Sequence, residues 1–286
     1  MKLNNIISAT FMVFCLTACN QQKSSHANDN KMAHANKNEM PQAAHKHIIR
    51  KFLPLISDFS SITNMGSIDI EFTPGPCQLV AEGDSDLINL IQYDIDGGIL
   101  TVNMPTERYN NVSQFAGKTD VTLHISCPEL YMVTTVSSGS FRSSCPIRTI
   151  NLHMGTLGSG TIIADSIICQ TFKFENRGNQ SSRFKYIDCD EATLFHYGSN
   201  KVEANIQART HVSIDQSNNG ELIANVTAPE IETIITDAAS TTYNLHTEHL
   251  RLSAFTNGTI TLTGHAKMQE IKRGNNVQLT NQLTKD

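Results

Sequence analysis

Residues 211–227 read HVSIDQSNNGELIANVT, and the fold of the chain turns on how this stretch is understood. Val212 and Ile214 alternate with polar residues, Asn218-Asn219-Gly220 interrupts, and Leu222, Ala224 and Val226 resume the alternation. Period-two alternation puts one side of a strand on a core and the other in solvent. Two such strands joined by a tight turn form the unit, and Gly and Asn suit the turn because they tolerate positive φ at low cost.

The same unit recurs along the chain. Alternating apolar residues appear at Val121/Leu123/Ile125, Ile150/Leu152/Met154, Phe172/Phe174 and Leu250/Leu252. Small-residue turns punctuate them at Ser138-Gly139-Ser140, Gly158-Ser159-Gly160, Arg177-Gly178-Asn179, Gly198-Ser199-Asn200, Asn257-Gly258 and Gly274-Asn275-Asn276. Ala238-Ala239-Ser240 fills the same slot without glycine. One apolar marker per unit (Leu130, Ile150, Phe172, Leu194, Val212, Ile231, Leu250, Met268) gives separations of 20, 22, 22, 18, 19, 19 and 18 residues. A period in this range signals a stacked array in which no unit buries its apolar face alone. A large antiparallel sandwich also carries frequent turn signals, but small residues at one position per unit favour a solenoid. Eight rungs would stack to roughly 40 Å at a strand spacing of about 4.8 Å.

Composition agrees with an all-β chain. Of the 286 residues 6% are aromatic and none is Trp, while Thr, Ser, Asn, Ile and Val are abundant. The organisation expected is residues 1–18 as an export signal, 19–49 as a polar tether and 50–286 as the folded domain. Within that domain 50–118 is less regular and 119–286 carries the repeats.

The N-terminus supplies an address. Lys2 precedes a mostly apolar run from Ile6 to Leu16, too short for a comfortable transmembrane span, and Leu16-Thr17-Ala18-Cys19 follows. Those four residues are similar to a lipobox, whose cysteine takes a diacylglycerol on its sulfur before cleavage in front of it; Cys19 is the expected lipidation site. Removing residues 1–18 takes away one lysine and no acid, so a net charge of −5 becomes −6. That charge argues against nucleic acid and anionic membrane surfaces as partners. The stretch 20–46 is polar and poor in large apolar residues, which fits a flexible tether. His26, His34, His45 and His47 have irregular spacing there, so a solvated linker accounts for them better than a metal site.

Beyond Cys15 and Cys19, five cysteines remain: Cys77, Cys127, Cys145, Cys169 and Cys189. Cys127 and Cys145 both stand in Ser-Cys-Pro, one repeat apart, and Cys169 and Cys189 each precede the first strand of a unit. Two readings stand: a small-residue ladder at a tight corner, or disulfides joining Cys127 to Cys145 or Cys169 to Cys189.

Residues 50–104 depart from the repeat and read as three strands, a short helical stretch from Asp86 to Gln92, and a further strand after a turn. Their motifs are Phe59/Ile62, Gly66/Ile68/Ile70, Gly83-Asp84 with Asp86-Leu87, and Gly98/Leu100/Val102. This order, followed by the turns at Ser138-Gly139-Ser140 and Gly158-Ser159-Gly160, resembles the head GIN domain of the auto-transporter adhesin family found in Bacteroidetes envelope proteins. The resemblance covers about residues 50–286 and implies a right-handed parallel β-helix in an envelope protein with adhesive function. The later turns at Asn218-Asn219-Gly220 and Ala238-Ala239-Ser240 depart from the family's Gly-Ser pattern.

No nucleophile elbow, phosphate loop or His-Glu-x-x-His helix is present, and no cofactor is implied. The densest acidic group is Asp188-Cys189-Asp190-Glu191, and glycosidic cleavage needs two carboxylates at a set separation. The lack of Trp removes a common sugar-stacking platform. His153, His196 and His211 fall in or beside strands and read as structural. A non-enzymatic envelope module binding a host or cell-surface glycan or protein is therefore expected. A carbohydrate-active β-helix enzyme and a purely structural envelope protein are the alternatives.

Overall fold

The computed structural model describes residues 48–104 and 121–285. The export signal, Cys19 and most of the tether lie outside the described residues. The first described strand opens at Ile48.

The less regular part holds β1 (Ile48–Phe52), β2 (Ser61–Asn64), β3 (Asp69–Pro74), β4 (Gln78–Asp84), α1 (Ser85–Ile88), β5 (Gln92–Asp96), β6 (Ile99–Asn103) and β7 (Val121–Cys127). The expected helix is shorter than read: Asp84 caps α1 by accepting from the Asp86 amide, and Gln92 already begins β5. The regular part begins with β8 (Met132–Thr135), β9 (Ser140–Ser143), β10 (Ile147–Arg148), β11 (Asn151–Thr156), β12 (Thr161–Ala164), β13 (Ile167–Ile168) and β14 (Thr171–Asn176). It continues with β15 (Ser182–His196), β16 (Lys201–Gln216), β17 (Glu221–Thr227), β18 (Glu230–Asp237), β19 (Ser240–Thr256), β20 (Thr259–Arg273) and β21 (Gln278–Asn281).

These strands wind into a β-solenoid of about eight turns. One side stacks β2, β8, β11, β14, the later halves of β15 and β16, β18, and the later halves of β19 and β20. The other stacks β3, β9, β12, the earlier halves of β15 and β16, β17, the earlier halves of β19 and β20, and β21. All these pairings are parallel. Antiparallel pairs close the N-terminal end, where β5 pairs with β6 and β4 pairs with both β1 and β7. Such a cap keeps open backbone from recruiting another strand.

In-register residues on the first side are Met132, His153, Lys173, Thr193, Ser213, Glu232, Arg251 and Glu270, spaced 21, 20, 20, 20, 19, 19 and 19 apart. The period is as expected, but two of the apolar markers are not core. Ile150 and Met268 are 54% and 49% exposed. The true buried column is Leu152, Phe172, Ala192, Val212, Ile231 and Leu250. Beside it Phe184 meets Phe172 and Phe174 edge-on, at 5.4 and 4.7 Å between centroids.

The turns between the two sides need glycine for a reason other than the one expected. Gly139, Gly158, Gly178, Gly198, Gly220 and Gly258 all lack positive φ; within this column of turns Asn218 (65°) and Asp237 (59°) have it. What each glycine provides is close approach. A Cβ on Gly178 would stand 2.5 Å from the Gly158 carbonyl oxygen, and one on Gly220 2.5 Å from that of Gly198. A Cβ on Gly198 would collide with the Gly178 carbonyl. Backbone lies on backbone from rung to rung.

Beneath these turns runs a buried polar spine: Asn64, Thr135, Thr156, Asn176, His196 and Gln216, each closing a first-side strand. Asn176 Oδ1 accepts from Thr156 Oγ1 at 2.6 Å and from the Gly178 amide at 2.9 Å, while its Nδ2 donates to Asn200 Oδ1 at 2.7 Å. Gln216 Nε2 donates to the carbonyls of Gly220 and Ser240, both at 3.0 Å. A buried polar group is tolerable only when so partnered. His196 is the titratable member. Burial holds its pKa down from 6.5 to about 4, against the opposing pull of the Asn200 and Glu221 backbone.

Two outcomes follow from this packing. Gly198→Ala should cost about 1–3 kcal/mol in urea denaturation through overpacking. Gly155→Ala should cost less, because its Cβ would come no closer than 3.4 Å to the Glu175 carbonyl. His196 titrates in the unfolded chain near pH 6.5 but in the fold only near 4. The unfolded state therefore binds the proton first, and stability falls as pH drops through that window. His196→Gln should remove on the order of 3 kcal/mol of that pH-dependent loss, read as the difference between the two stability–pH curves.

Candidate functional site

The turn column that forms the spine on its inner side forms a groove on its outer side. The residue preceding each turn glycine points outward: Leu157 before Gly158, Arg177 before Gly178, Tyr197 before Gly198. Backbone bonds hold them in register, from Leu157 N to Thr135 O (2.9 Å), Arg177 N to Thr156 O (2.8 Å) and Tyr197 N to Asn176 O (2.8 Å). The groove has a volume of about 570 Å³, a floor of Gly158, Gly178 and Gly198, and rims carrying Ser159, Asn179, Ser199, Asn218, Asn219 and Asp237.

Tyr197 is its fixed point. The Arg177 guanidinium lies 5.3 Å from the Tyr197 ring centroid and is held from behind by Glu175, Nε to Oε1 2.6 Å. The phenol donates to Asp215 Oδ2 at 2.9 Å. Burial, followed by the Asp215 hydrogen bond, pushes the phenol pKa up to about 12, so it remains a donor. Phe195 tilts against Tyr197 at 5.9 Å between centroids, with Lys173 Nζ 5.3 Å from the Phe195 ring. On the far rim Asp237 accepts from the Asn218 amide at 3.1 Å, and the Asn218 side chain donates to the Tyr197 carbonyl.

The turns here were legible in sequence as punctuation, not as a site. Aligning them on their glycines would have revealed the column Leu157, Arg177, Tyr197.

The cysteines resolve into separate places. Cys169 and Cys189 are buried at one corner, and Cys189 is in register with Ala208. Continuing that corner gives Ala228, Thr247 and Ala266, so this is a small-residue ladder. Cys127 and Cys145 do not share it. Strand β3 lies between β7 and β9, with Pro74 paired to Cys127 and Phe72 to Ser143. Cys145 lies two residues beyond Ser143, outside β9, and β3 stands between the ladders of β7 and β9, so the two cysteines are not neighbours in one ladder. All five cysteines in the described residues are free thiols. Burial pushes the pKa of Cys127, Cys169 and Cys189 up to about 12.

The acidic group is tied up. Arg209, one rung on, places Nη2 2.8 Å from Asp188 Oδ1 and Nη1 3.1 Å from Asp190 Oδ1. His153 is half-buried, and burial followed by the charge of Lys173 lowers its pKa. His211 faces Glu230, Nδ1 to Oε2 3.8 Å. Among the described residues no group of three or more His, Cys, Asp or Glu could hold a metal ion, and no helix is long and apolar enough to cross a membrane.

Architecture and groove together define a β-solenoid with an open polar trough along one edge. Residues 58–185 match the family described as "Putative auto-transporter adhesin, head GIN domain". The matched stretch ends inside β15, short of the departing turns. None of the curated proteins matches the chain. Three solved structures share the fold at low identity. A putative adhesin from Parabacteroides merdae matches with TM-score 0.65 and 15% identity, over 84% of this chain and 97% of its own. One from Bacteroides fragilis matches with TM-score 0.60 and 17% identity, over 80% and 98%. A putative lipid binding protein from Parabacteroides distasonis matches with TM-score 0.62 and 17% identity, over 84% and 98%.

In native protein, iodoacetamide should modify the partly exposed Cys77 and Cys145 and spare Cys127, Cys169 and Cys189 over hours. All five should react in urea, with equal thiol counts with and without reductant. A lower count without reductant would reinstate a disulfide at Cys169 and Cys189, which occupy neighbouring rungs.

Proposed function

We infer that this chain is a non-enzymatic, lipid-anchored protein of the cell envelope that binds a partner through the outer surface of its solenoid. The observation carrying this is the contrast between two surface features. The groove presents an ordered ring, exposed amides and hydroxyls on a rigid scaffold. The densest acidic cluster is bridged by Arg209 instead of presenting a free acid and base across one bond. The turns that form the groove are pinned from rung to rung by backbone hydrogen bonds, which suits recognition by a repeat protein.

Cys19 and the tether supply the rest of the reading. A lipoprotein carries more than one acyl chain, which makes anchoring stable. A polar segment between anchor and fold lets the solenoid stand off the membrane. Adhesion as the activity is supported by the family whose model matches residues 58–185, and fold-level likeness by itself warrants no specific ligand.

Protease shaving of intact cells tests the reading. The domain should be lost from whole cells treated with trypsin while a periplasmic marker survives. Protection of the domain in intact cells, with cleavage only after lysis, would overturn a role in binding at the cell surface.

A further inference from the structure

The geometry points to a neutral saccharide as the ligand of the glycine-floored groove, stacked on Tyr197 and running from rung to rung. This rests on reading the chain as a binding module. Four features of the groove support it. The floor is the backbone of three successive glycine turns, stacked rung on rung with no room for a Cβ between them.

Tyr197 is ordered before any ligand arrives, by the Arg177 guanidinium against its ring and by its hydrogen bond to Asp215. An aromatic ring fixed in advance loses little entropy on binding and offers a platform for the apolar face of a sugar ring. The exposed side chains of Asn179, Ser199 and Asn219 make no hydrogen bond to protein among the described residues. Amides and hydroxyls of this kind both donate and accept, as the hydroxyls of a sugar do.

Charge sets the class of saccharide. Glu175 neutralises Arg177, and Asp237 stands in the groove lining as an acceptor. A carboxylate at this position accepts from sugar hydroxyls and repels uronates, sialic acids and phosphorylated chains. A protein ligand would want a central apolar pocket for an anchor residue. Here the one large aliphatic side chain of the lining is Leu157, exposed at the end of the groove.

The test uses the detergent-purified full chain. It would be screened against immobilised neutral oligosaccharides (β-glucan, mannan, xylan and N-acetylglucosamine oligomers), against polygalacturonate and sialylated oligosaccharides, and against gelatin and fibronectin. Hits are then titrated calorimetrically. At least one neutral oligosaccharide should bind saturably, with affinity lowered about tenfold or more by Tyr197→Ala and by the exposed-site variant Asn219→Ala. Tyr197→Phe, which keeps the ring, should bind nearly as well as the native chain. Thermal melts identify any variant that fails to fold, and Asn219→Ala then carries the test alone.

Preference for the acidic oligosaccharides, or neutral-glycan binding indifferent to both alanine variants, overturns the inference. Saturable binding confined to gelatin or fibronectin overturns it too, while leaving the binding-module reading intact. No binding across the panel overturns the inference; the shaving experiment judges the broader reading separately.

Discussion

The constraint on which this structure depends is the contact of one rung's turn with the next. In a parallel stack of strands, hydrogen bonds fix the spacing at about 4.8 Å along the whole ladder. Strands tolerate that spacing with side chains of any size, since these project above and below the sheet. A tight turn does not, because its Cβ projects along the stacking direction. At Gly178 and Gly220 the space for a Cβ is already filled by the carbonyl of the preceding turn. Register, the inner polar spine and the outer groove all inherit their positions from this contact.

The spine shows how the inner side responds. A first-side strand ends at the turn with backbone groups that the next strand cannot reach. The side chains there are Asn176, His196, Gln216 and their counterparts, which hydrogen-bond the turn amides and carbonyls from within. Each bond contributes modestly, of order 1 kcal/mol net, but leaving such a buried group unpaired costs more. Thr135 is the exception in the spine, with a hydroxyl that finds no partner in the structure. Using His196 in this role makes stability sensitive to mild acid, since its neutral form alone fits the site.

Much of the fold was legible in the sequence, for a physical reason. Alternation and turn residues are local signals, and a solenoid is built almost entirely from local repeats. The period near 20 therefore survived crude counting. What failed were inferences that needed stacking geometry. Ile150 and Met268 looked like core because apolar residues at strand ends also occur on the surface. The turn glycines looked like positive-φ residues because that is the commoner reason for glycine in isolated turns. Cys127 and Cys145 looked adjacent because they are one period apart in sequence. The excursion through β3 and β4 inserts a strand between them, and nothing local announces it. The groove was hidden for a related reason: Leu157, Arg177 and Tyr197 share no chemistry and become a column only once the turns are aligned.

The turn contact also explains where the chain can and cannot shorten. Rungs from His153 to Ser213 are 20 residues long, and from Ser213 onward they are 19. The lost residue falls at the corner opposite the turn column: Gln207 to His211 is four residues, and the equivalent Thr227 to Glu230 is three. The turn itself keeps its length, since Gln216 to Leu222 and Ile235 to Thr241 are both six residues. What changes along the column is its composition and conformation, because Asn218 and Asp237 adopt positive φ and Ala238-Ala239 replaces glycine. Asn and Asp accept the left-handed conformation more readily than other residues with a Cβ. The Asp237 carboxylate accepts from the Asn218 amide and stands in the lining of the trough. A column whose rungs rest backbone on backbone thus holds its length while the period changes elsewhere, and the groove differs at this end in side chains, not in the span of its turns.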